Sequence, residues 1–412
     1  MMKNRPIPRS FRLFLAGILV LAWGPAAAQE DMTAKVNAGW QALQKGQLAE
    51  ARAAFQSVLD ASPTYEFGWY ALGQVATREG KFDEAILDFQ KASELDANQF
   101  RNHYGLAAVY RSKGSYDQAI TTLNNAELLA SDKQSKYLLH LERGLSYLSL
   151  HKYKEASADL EQAVAIQPGN KMAEQRYGMA LYGLRQYQQA VDHLKKAAAQ
   201  DAADYTTQLY LARGYIHLGQ QQPDKEKKAR LYAEAVHAGK VALGARQGFE
   251  AQNVLARAYL GARSFDGAIR EFQGVIKSRP KYCAARANLG QAYIGKHSWP
   301  EAVQALEGAS ECDPRNTTTL NLLAYAYMKQ EVLDKSLATY QKSYEMKQDP
   351  LVAEHIELVK KNMEIAGENA QIESFNEEQQ ALLAQEQEEF ERKMKAFEEE
   401  QRRIQEYKES DN

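Results

Sequence analysis

A pair of short amphipathic segments is the unit from which this chain is built, and residues 66–99 show it most clearly. In the first segment, apolar or small residues recur at intervals of three or four, at Trp69, Leu72, Gly73 and Ala76. The second segment has similar spacing at Phe82, Ala85, Phe89 and Ala92. A turn at Gly80-Lys81 separates them. The spacing predicts two helices with one apolar stripe each, and neither helix can bury its stripe alone.

The unit recurs along most of the chain. The small residue of the second segment returns at Ala51, Ala85, Ala119, Ala156, Ala190, Ala235, Ala268, Ala302 and Ser336. Twelve residues before most of these lies another small residue, at Gly39, Gly73, Ala107, Gly144, Gly178, Ala256, Gly290 and Ala324. Four residues after most of them lies a bulky one, at Phe55, Phe89, Leu123, Leu160, Leu194, Phe272, Leu306 and Tyr340. A recurrence at about 34 residues, held over most of the chain, predicts a stacked array of helix hairpins.

The pattern closely resembles the tetratricopeptide repeat (TPR) family, whose W–LG–Y–A–F–A–P signature runs through residues 32–350 about nine times. The residues at its signature positions in the clearest unit are Trp69, Leu72, Gly73, Ala85, Phe89 and Ala92. The resemblance implies an all-α fold, an α-solenoid of about nine tetratricopeptide-type hairpins wound as a right-handed superhelix.

The sixth unit departs most from this pattern. The polar segment Gln220–Lys228 interrupts it, as a surface loop or as a helix extension. Gly239 stands where the bulky residue is expected, which predicts looser packing. This unit is therefore a hinge between two halves of the array or a degenerate repeat. A smaller insertion, near Ser131–Lys136, lengthens the connection between the third and fourth units.

Two further segments follow the array. Residues 351–366 are predicted to form a capping helix, with Val352, Ile356, Val359 and Met363 on the face that covers the last repeat. Residues 371–412 carry 13 acidic and 6 basic side chains. Their apolar residues fall every seven positions, at Leu383, Phe390, Phe397 and Ile404, and the segment has five Glu-to-base pairs at i,i+4. We expect a long acidic helix, largely solvated or forming a weak coiled coil, with weak self-association or docking on the array as alternatives.

Residues 1–28 have the pattern of a secretory signal peptide. A basic start contains Lys3, Arg5, Arg9 and Arg12, and an apolar core of eleven residues follows at Leu13–Trp23. The small residues Ala26–Ala28 predict cleavage after Ala28, although an uncleaved membrane anchor is the alternative. No later stretch is apolar enough to span a bilayer. The chain is therefore expected to be exported to the periplasm or secreted, with no transmembrane segment after removal of the signal.

The two cysteines lie near the first and the last residue of one predicted hairpin. Cys283 opens the first helix of the eighth unit, and Cys312 lies just past the end of its second helix. Because those ends are neighbours in an antiparallel hairpin, a disulfide could staple them, and an exported chain meets an oxidising compartment. The alternative is two small buried thiols.

No pattern in the sequence predicts chemistry. The eight histidines form no metal-binding or catalytic motif, and no glycine-rich phosphate loop or serine nucleophile turn is present. We therefore expect no enzymatic activity, no cofactor and no metal. Residues 29–370 carry 41 basic and 40 acidic residues, and the tail is acidic, so nucleic acid is not an expected partner.

The family resemblance implies a concave groove lined by the first helix of each unit. Carried onto this chain, the groove would include Phe67, Tyr70, Gln74, Arg78, Arg101, Tyr104, Arg111, Gln175, Tyr182, Tyr215, Asn253 and Arg257. Aromatic residues and Arg are enriched at protein interfaces, although the same residues could simply pack against the next repeat. The Lys and Asn combination of the family's peptide-carboxylate clamp is not found, so an acidic C-terminal peptide is a doubtful ligand.

These features predict a non-enzymatic scaffold or adaptor of the cell envelope that binds a segment of a partner protein in the groove. The resemblance to envelope-assembly TPR proteins supports this class. One alternative is a periplasmic holdase whose apolar, Met-containing groove accepts many clients. The other is an accessory subunit of an envelope assembly, secretion or export machine.

Overall fold

The structure, a computed structural model, describes residues 26–410 of the 412, and the side chains of residues 30–399, 402 and 403. Most of the predicted signal peptide lies outside the described residues, as do the last two residues of the acidic segment. The fold is an all-α solenoid, as predicted, and the described residues contain no β-strand.

The first ten helices form five hairpins. They are α1 (Ala26–Lys45), α2 (Leu48–Ala61), α3 (Glu66–Glu79), α4 (Phe82–Leu95), α5 (Phe100–Lys113), α6 (Tyr116–Asn125), α7 (Lys133–Ser149), α8 (Tyr153–Ile166), α9 (Lys171–Gly183) and α10 (Tyr187–Ala198). A single 3-10 turn at Glu127–Leu129 occupies the lengthened connection between α6 and α7.

The remaining helices are α11 (Tyr205–Gln221), α12 (Lys225–Ala245), α13 (Phe249–Gly261), α14 (Phe265–Ser278), α15 (Cys283–Gly295), α16 (Trp299–Cys312), α17 (Thr317–Lys329), α18 (Leu333–Met346) and α19 (Pro350–Ser410). The chain divides into two compact units, and the boundary along the sequence falls between Gly214 and Tyr215, within α11. Unit 1 contains α1–α10, and unit 2 contains α12–α19.

Each repeat is held together by a bulky side chain that sits on a small one. Phe89 of α4 is fully buried and contacts both α3 and α5. A Cβ added at Gly73 would lie 3.0 Å from the Phe89 ring, and one added at Gly105 would lie 2.5 Å from it. Leu160 packs on Gly144 in the same way, and Leu306 packs on Gly290. The small residues and the bulky residues that recur in the sequence are therefore the two partners of one packing contact. This contact is repeated along the chain.

In eight of the nine described hairpins, the turn between the two helices contains a residue in the left-handed conformation. Gly46, Gly80 and Gly114 adopt φ of 78°, 76° and 86° there. The corresponding turns of later repeats place a non-glycine residue in the same conformation, at His151, Arg185, Arg263, His297 and Glu331. Because a side chain in this conformation crowds its own carbonyl oxygen, each of these five turns costs roughly 1 kcal/mol that glycine would not.

The sixth repeat absorbs its insertion as helix. Most of Gln220–Lys228 extends α11 and α12, and only residues 222–224 form the turn, where the Asp224 carboxylate accepts from the Lys227 amide at 2.7 Å. The expected loose packing at Gly239 is wrong. A Cβ at Gly239 would lie 3.2 Å from the Leu255 Cα, so α12 and α13 approach closely. Tyr232, which is 5% exposed, supplies a buried aromatic ring two turns earlier in α12.

The structure joins Cys283 and Cys312 in a disulfide whose Cα atoms are 5.5 Å apart. Cys283 begins α15 and Cys312 ends α16. The bond therefore closes the open end of this hairpin, opposite its turn.

The predicted capping helix and the predicted acidic helix are parts of the single helix α19. Near its start, Val352, Ile356 and Val359 are buried beside Ala324 and Tyr340, with Met363 partly buried at the edge of the cluster. From residue 365 onward every described side chain of α19 is exposed. Burial, rather than a break in the helix, thus separates the two segments.

We predict opposite effects for two exchanges at hairpin turns of unit 1. Arg185→Gly should raise the free energy of unfolding by up to about 1 kcal/mol, because glycine relieves the left-handed strain. Gly80→Ala should lower it by about 1 kcal/mol, although a Cβ at Gly80 has no neighbour within 4 Å. Urea unfolding followed by circular dichroism measures both changes. A destabilised Arg185→Gly variant would show that the side chain contributes more than the strain costs.

Candidate protein-binding groove

The groove residues of unit 1 lie on two neighbouring first helices. Phe67, Tyr70, Gln74 and Arg78 follow one another at intervals of three or four along α3. Arg101, Tyr104 and Arg111 lie along α5 at intervals of three and seven, which also keeps them on one side of the helix. The same helices bury their other sides, at Ala71, Leu72 and Val75 for α3. The packing between helices thus uses one side of each first helix and leaves the other side available for binding.

Three aromatic rings form a cluster at the start of this surface. Phe67 and Tyr70 stack with their centroids 5.7 Å apart and their planes at 23°. The Trp40 ring of α1 lies 5.9 Å from Phe67 and 6.3 Å from Tyr70. Trp40 was not among the predicted groove residues, although it precedes Gln74 by one repeat interval and therefore occupies the same repeat position. Applying the groove positions of the second unit to the first unit would have identified Trp40.

Arg101 covers this aromatic cluster from α5. Its Cζ atom lies 5.2 Å from the Phe67 centroid and 5.8 Å from that of Tyr70, a range in which a guanidinium is attracted to ring faces. The same guanidinium donates to the Glu66 carboxylate. Glu66 Oε1 and Arg101 Nε are both buried and lack a hydrogen-bond partner in the structure. This ion pair therefore retains an unsatisfied acceptor and an unsatisfied donor beneath the surface.

The tyrosine hydroxyls of the groove stay protonated at physiological pH. Burial raises the pKa of Tyr70 to about 12. Burial also raises the pKa of Tyr104 well above its usual range, and the charge of Glu142 adds to this effect. Both hydroxyls can therefore serve as hydrogen-bond donors.

The two outer arginines differ in their partners. Arg111 donates to Glu142, a buried carboxylate of α7 that the repeat pattern did not single out. Burial lowers the pKa of Arg111, but the ion pair with Glu142 outweighs this and raises it overall. Arg78 instead donates to the main-chain carbonyl of Leu43, and burial lowers its pKa. None of the described ion pairs includes Arg78, so its positive charge is the one best placed to meet an acidic group.

Two of the predicted groove residues are committed to the interior instead. Gln175 is 6% exposed, and its amide nitrogen lies 2.5 Å from Asp204 Oδ1 and 2.7 Å from Thr207 Oγ1. Tyr215 of unit 2 is 5% exposed. Both predictions of an exposed groove position are therefore wrong. For Gln175, Asp204 and Thr207 of the next repeat bind the side chain and hold it in the interior.

The three remaining residues of the predicted groove are partly buried. Tyr182 of unit 1 packs edge-on against Tyr210 with centroids 5.4 Å apart. In unit 2, the Asn253 amide donates to the Tyr282 hydroxyl at 3.4 Å, while Asn253 Oδ1 is buried and has no partner. Arg257 is half-buried, and its charge lowers the pKa of Tyr232, which burial raises more strongly.

Two equivalent carboxylates away from the groove have opposite environments. Asp88 and Asp159 each follow the small residue of a second helix by three positions, and both are buried. Asp159 Oδ1 lies 2.8 Å from His140 Nδ1, and Arg143 binds both carboxylate oxygens at 2.8 Å. Burial alone would raise the pKa of Asp159, but these hydrogen bonds lower it below its usual value.

Asp88 lacks such partners. Its Oδ2 atom is buried without a hydrogen bond. Burial, together with the charge of Glu84, raises the pKa of Asp88 to about 6. A perturbed carboxyl can indicate an active site, but Asp88 is not part of a cluster of reactive side chains. Across residues 26–410, no group of three His, Cys, Asp or Glu side chains could hold a metal ion. Over the same residues, no helix has the length and apolarity needed to cross a membrane.

Comparison with known proteins identifies the repeat. Two sequence models described as tetratricopeptide repeat match the chain, one at residues 76–139 and the other at residues 141–205 and 253–317. The chain belongs to the tetratricopeptide repeat family. The first match covers α4–α6, so the α5/α6 hairpin is a TPR unit, and part of the groove of unit 1 lies on its first helix. No curated protein matches this sequence.

Solved TPR structures resemble parts of the chain. PilW, a "widely conserved type IV pilus biogenesis factor", is 16% identical, covers 54% of this chain and 98% of its own length, and has a TM-score of 0.46. YrrB, "a TPR protein with an unusual peptide-binding site", is 17% identical, covers 49% and 99%, and has a TM-score of 0.40. A structure of MamA is 26% identical, covers 42% and 93%, and has a TM-score of 0.36.

We predict that the two equivalent carboxylates respond oppositely to neutralisation. Asp88→Asn should raise the free energy of unfolding by about 1–2 kcal/mol at pH 8, because it removes a buried, poorly partnered charge. The gain should vanish as pH falls through about 6 toward 4, because the native carboxyl is then protonated. Asp159→Asn should instead lower the free energy of unfolding at pH 7 by about 1–3 kcal/mol.

Chemical unfolding of each variant at pH 4, 6 and 8 measures these differences. The Asp159→Asn variant is the matched control, since it changes the same atoms at the same repeat position. A gain for Asp88→Asn that did not depend on pH would contradict the raised pKa.

Proposed function

We propose that this chain is a non-enzymatic scaffold or adaptor of the cell envelope, and that it binds an extended or helical segment of a partner protein in the groove of unit 1. The observation that carries the proposal is the cluster of Trp40, Phe67 and Tyr70 beneath Arg101. All four are only partly buried, and they come from three adjacent first helices. Aromatic and Arg side chains of this kind dominate the binding energy of protein interfaces.

The chemistry of the groove selects the kind of segment. The three rings offer an apolar face for an aromatic or aliphatic side chain. Arg78 supplies a positive charge beyond them that has no carboxylate partner among the described residues, so it favours an acidic residue in the bound segment. The Tyr70 and Tyr104 hydroxyls can pair with its main chain. A short segment with an apolar residue near an acidic one fits best.

The envelope location rests on the amino terminus and on the cysteines. The basic start, short apolar core and small residues of positions 1–28 favour export. A disulfide at Cys283 and Cys312 is consistent with an oxidising compartment, since such bonds are rare in the cytosol. In this proposal, the acidic part of α19 is a spacer or a second contact, through which the chain weakly self-associates.

A holdase is the second candidate. Met172 is 41% exposed on α9, and flexible thioether side chains suit binding to many clients. One selective partner recovered from native envelope by cross-linking and mass spectrometry favours the scaffold. Many unrelated unfolded clients would favour the holdase instead.

Groove substitutions test the binding site. We expect Tyr70→Ala or Arg78→Ala to weaken capture of the cross-linked partner by about 2 kcal/mol, roughly thirtyfold in Kd. The matched control is the pair Leu87→Ala and Lys91→Ala, which also removes one apolar and one basic side chain but on the exposed side of α4. Melting temperatures show whether each variant remains folded. Unchanged capture by folded groove variants would place the site elsewhere.

The amino terminus of the protein tests the location. We expect protein purified from its native envelope to begin at Gln29, because export removes the signal peptide after Ala28. Mass spectrometry of the intact chain measures this. An intact start at Met1 in a membrane fraction would indicate the uncleaved anchor.

A further inference from the structure

The acidic part of α19 carries a long apolar stripe that no described part of this chain covers. Seven large apolar side chains there are exposed, at Ile372, Phe375, Leu382, Leu383, Phe390, Met394 and Phe397. Phe390 alone exposes 65% of its surface. With 3.6 residues per turn, all seven fall within an arc of about 120° on one side of the helix. Large exposed apolar side chains gathered on one side of a helix normally mark a contact surface.

Charge divides this part of the helix into two halves. Residues 371–390 contain six acidic side chains and no basic one. Residues 391–408 contain six basic and five acidic side chains. Two copies packed in parallel would set the two acidic halves side by side. Since packed helices are about 8–10 Å apart, close to one Debye length at physiological salt, this repulsion would be only partly screened.

We propose that the stripe pairs with the same stripe of a second copy of this chain, and that the two helices run antiparallel with Phe390 near the midpoint. This proposal gives an orientation and a register to the self-association included in the proposed function, and it does not depend on the groove of unit 1. The antiparallel arrangement places each acidic half beside the half that carries the basic residues.

Two apolar residues of the stripe are placed symmetrically about Phe390. Leu383 lies seven residues before it and Phe397 seven residues after it. An antiparallel pair centred on Phe390 therefore sets Leu383 of one copy against Phe397 of the other, twice by symmetry. The Phe390 layer and the two Leu383–Phe397 layers are therefore apolar on both sides.

Two charged residues within the stripe support the same register. Glu386 lies four residues before Phe390, and Lys393 lies three residues after it, both on the same side of Phe390 around the helix. In the antiparallel pair, Glu386 of one copy therefore faces Lys393 of the other. Lys393 already lies 2.9 Å from Glu389 within its own helix, but both side chains are about 70% exposed, and such a surface pair is weak enough to be shared.

The rest of unit 2 leaves room for this contact. The last side chain of α19 that packs on the repeats is Met363. Phe390 lies more than seven helical turns further along, so the repeats begin roughly 40 Å from the midpoint at a rise of about 1.5 Å per residue. Residues 365–399 are exposed, so no described part of the same copy covers the centre of the pair.

Sedimentation velocity of the full mature chain over a range of concentrations tests the contact. The wild-type chain should form a concentration-dependent dimer, and Phe390→Glu should weaken dimerisation at least about tenfold, since a buried charge replaces a central apolar contact. Ala381→Glu is the matched control, because it adds the same charge on the opposite side of the helix and should leave the dimer intact. Circular dichroism verifies that both variants keep their helix content.

Charge exchange at one pair of positions tests the orientation. Glu386→Lys or Lys393→Glu alone should weaken the dimer by roughly tenfold, because each creates two like-charge contacts by symmetry. The double exchange should restore it to within about threefold, as the opposite charges face each other again. Carboxyl-to-amine cross-linking of an isotopically mixed dimer should also join Glu386 of one copy to Lys393 of the other.

Three outcomes would overturn the proposal. A wild-type chain that remains monomeric would show that the stripe serves another partner or a membrane surface. Dimerisation that survives Phe390→Glu would place the contact elsewhere. Loss of the dimer in Phe390→Glu without any effect of the single charge exchanges would indicate parallel pairing. The groove experiments use a different surface, so their failure would leave this result unaffected.

Discussion

The contact on which the structure depends is a bulky side chain of one helix seated on a small residue of its neighbours. Phe89 packs against Gly73 within its own hairpin and against Gly105 of the next one, so a single ring holds three helices together. Interiors of this density tolerate little change in volume, which explains why the spacing of small and bulky residues is so regular. Since each hairpin buries its stripe only against adjacent hairpins, the unit must be repeated to be stable.

This contact leaves one side of each first helix for other roles, and the groove of unit 1 uses it. Tyr70 belongs to both systems, because its ring meets Phe89 in the core at 5.7 Å and stacks on Phe67 at the surface. The binding surface is therefore fixed in position by the same packing that stabilises the repeat. Such preorganised aromatic residues lose little conformational freedom on binding, which favours affinity. The Arg101 guanidinium lies over the Phe67 and Tyr70 rings and adds a charged group to this surface.

Buried polar groups make the repeats unequal, although their apolar pattern is nearly the same. At one repeat position, Asp159 is bound by His140 and Arg143, while the equivalent Asp88 has an oxygen with no partner. The hairpin turn likewise holds glycine in three early repeats and a strained side chain in five later ones. Marginal stability allows such local costs where the array as a whole is stable, and they distinguish repeats that would otherwise be interchangeable.

The sequence by itself determined the helices, their hairpin pairing, the residues of the packing columns and the exposed character of the acidic segment. These follow from periodicity, because a helix shows its apolar face within a few turns of local sequence. It also placed Phe67, Tyr70 and Arg78 on the same side of α3. Only the tertiary structure decided which of these side chains remain accessible and which have partners. Trp40 joins the groove, Glu142 binds Arg111, and Gln175 turns inward to Asp204, because each contact links helices that are far apart in sequence. The same holds for the sixth repeat, where the close approach of α12 and α13 replaces the missing bulky residue. Periodicity specifies the direction in which a side chain points, whereas its neighbours depend on how the helices stack.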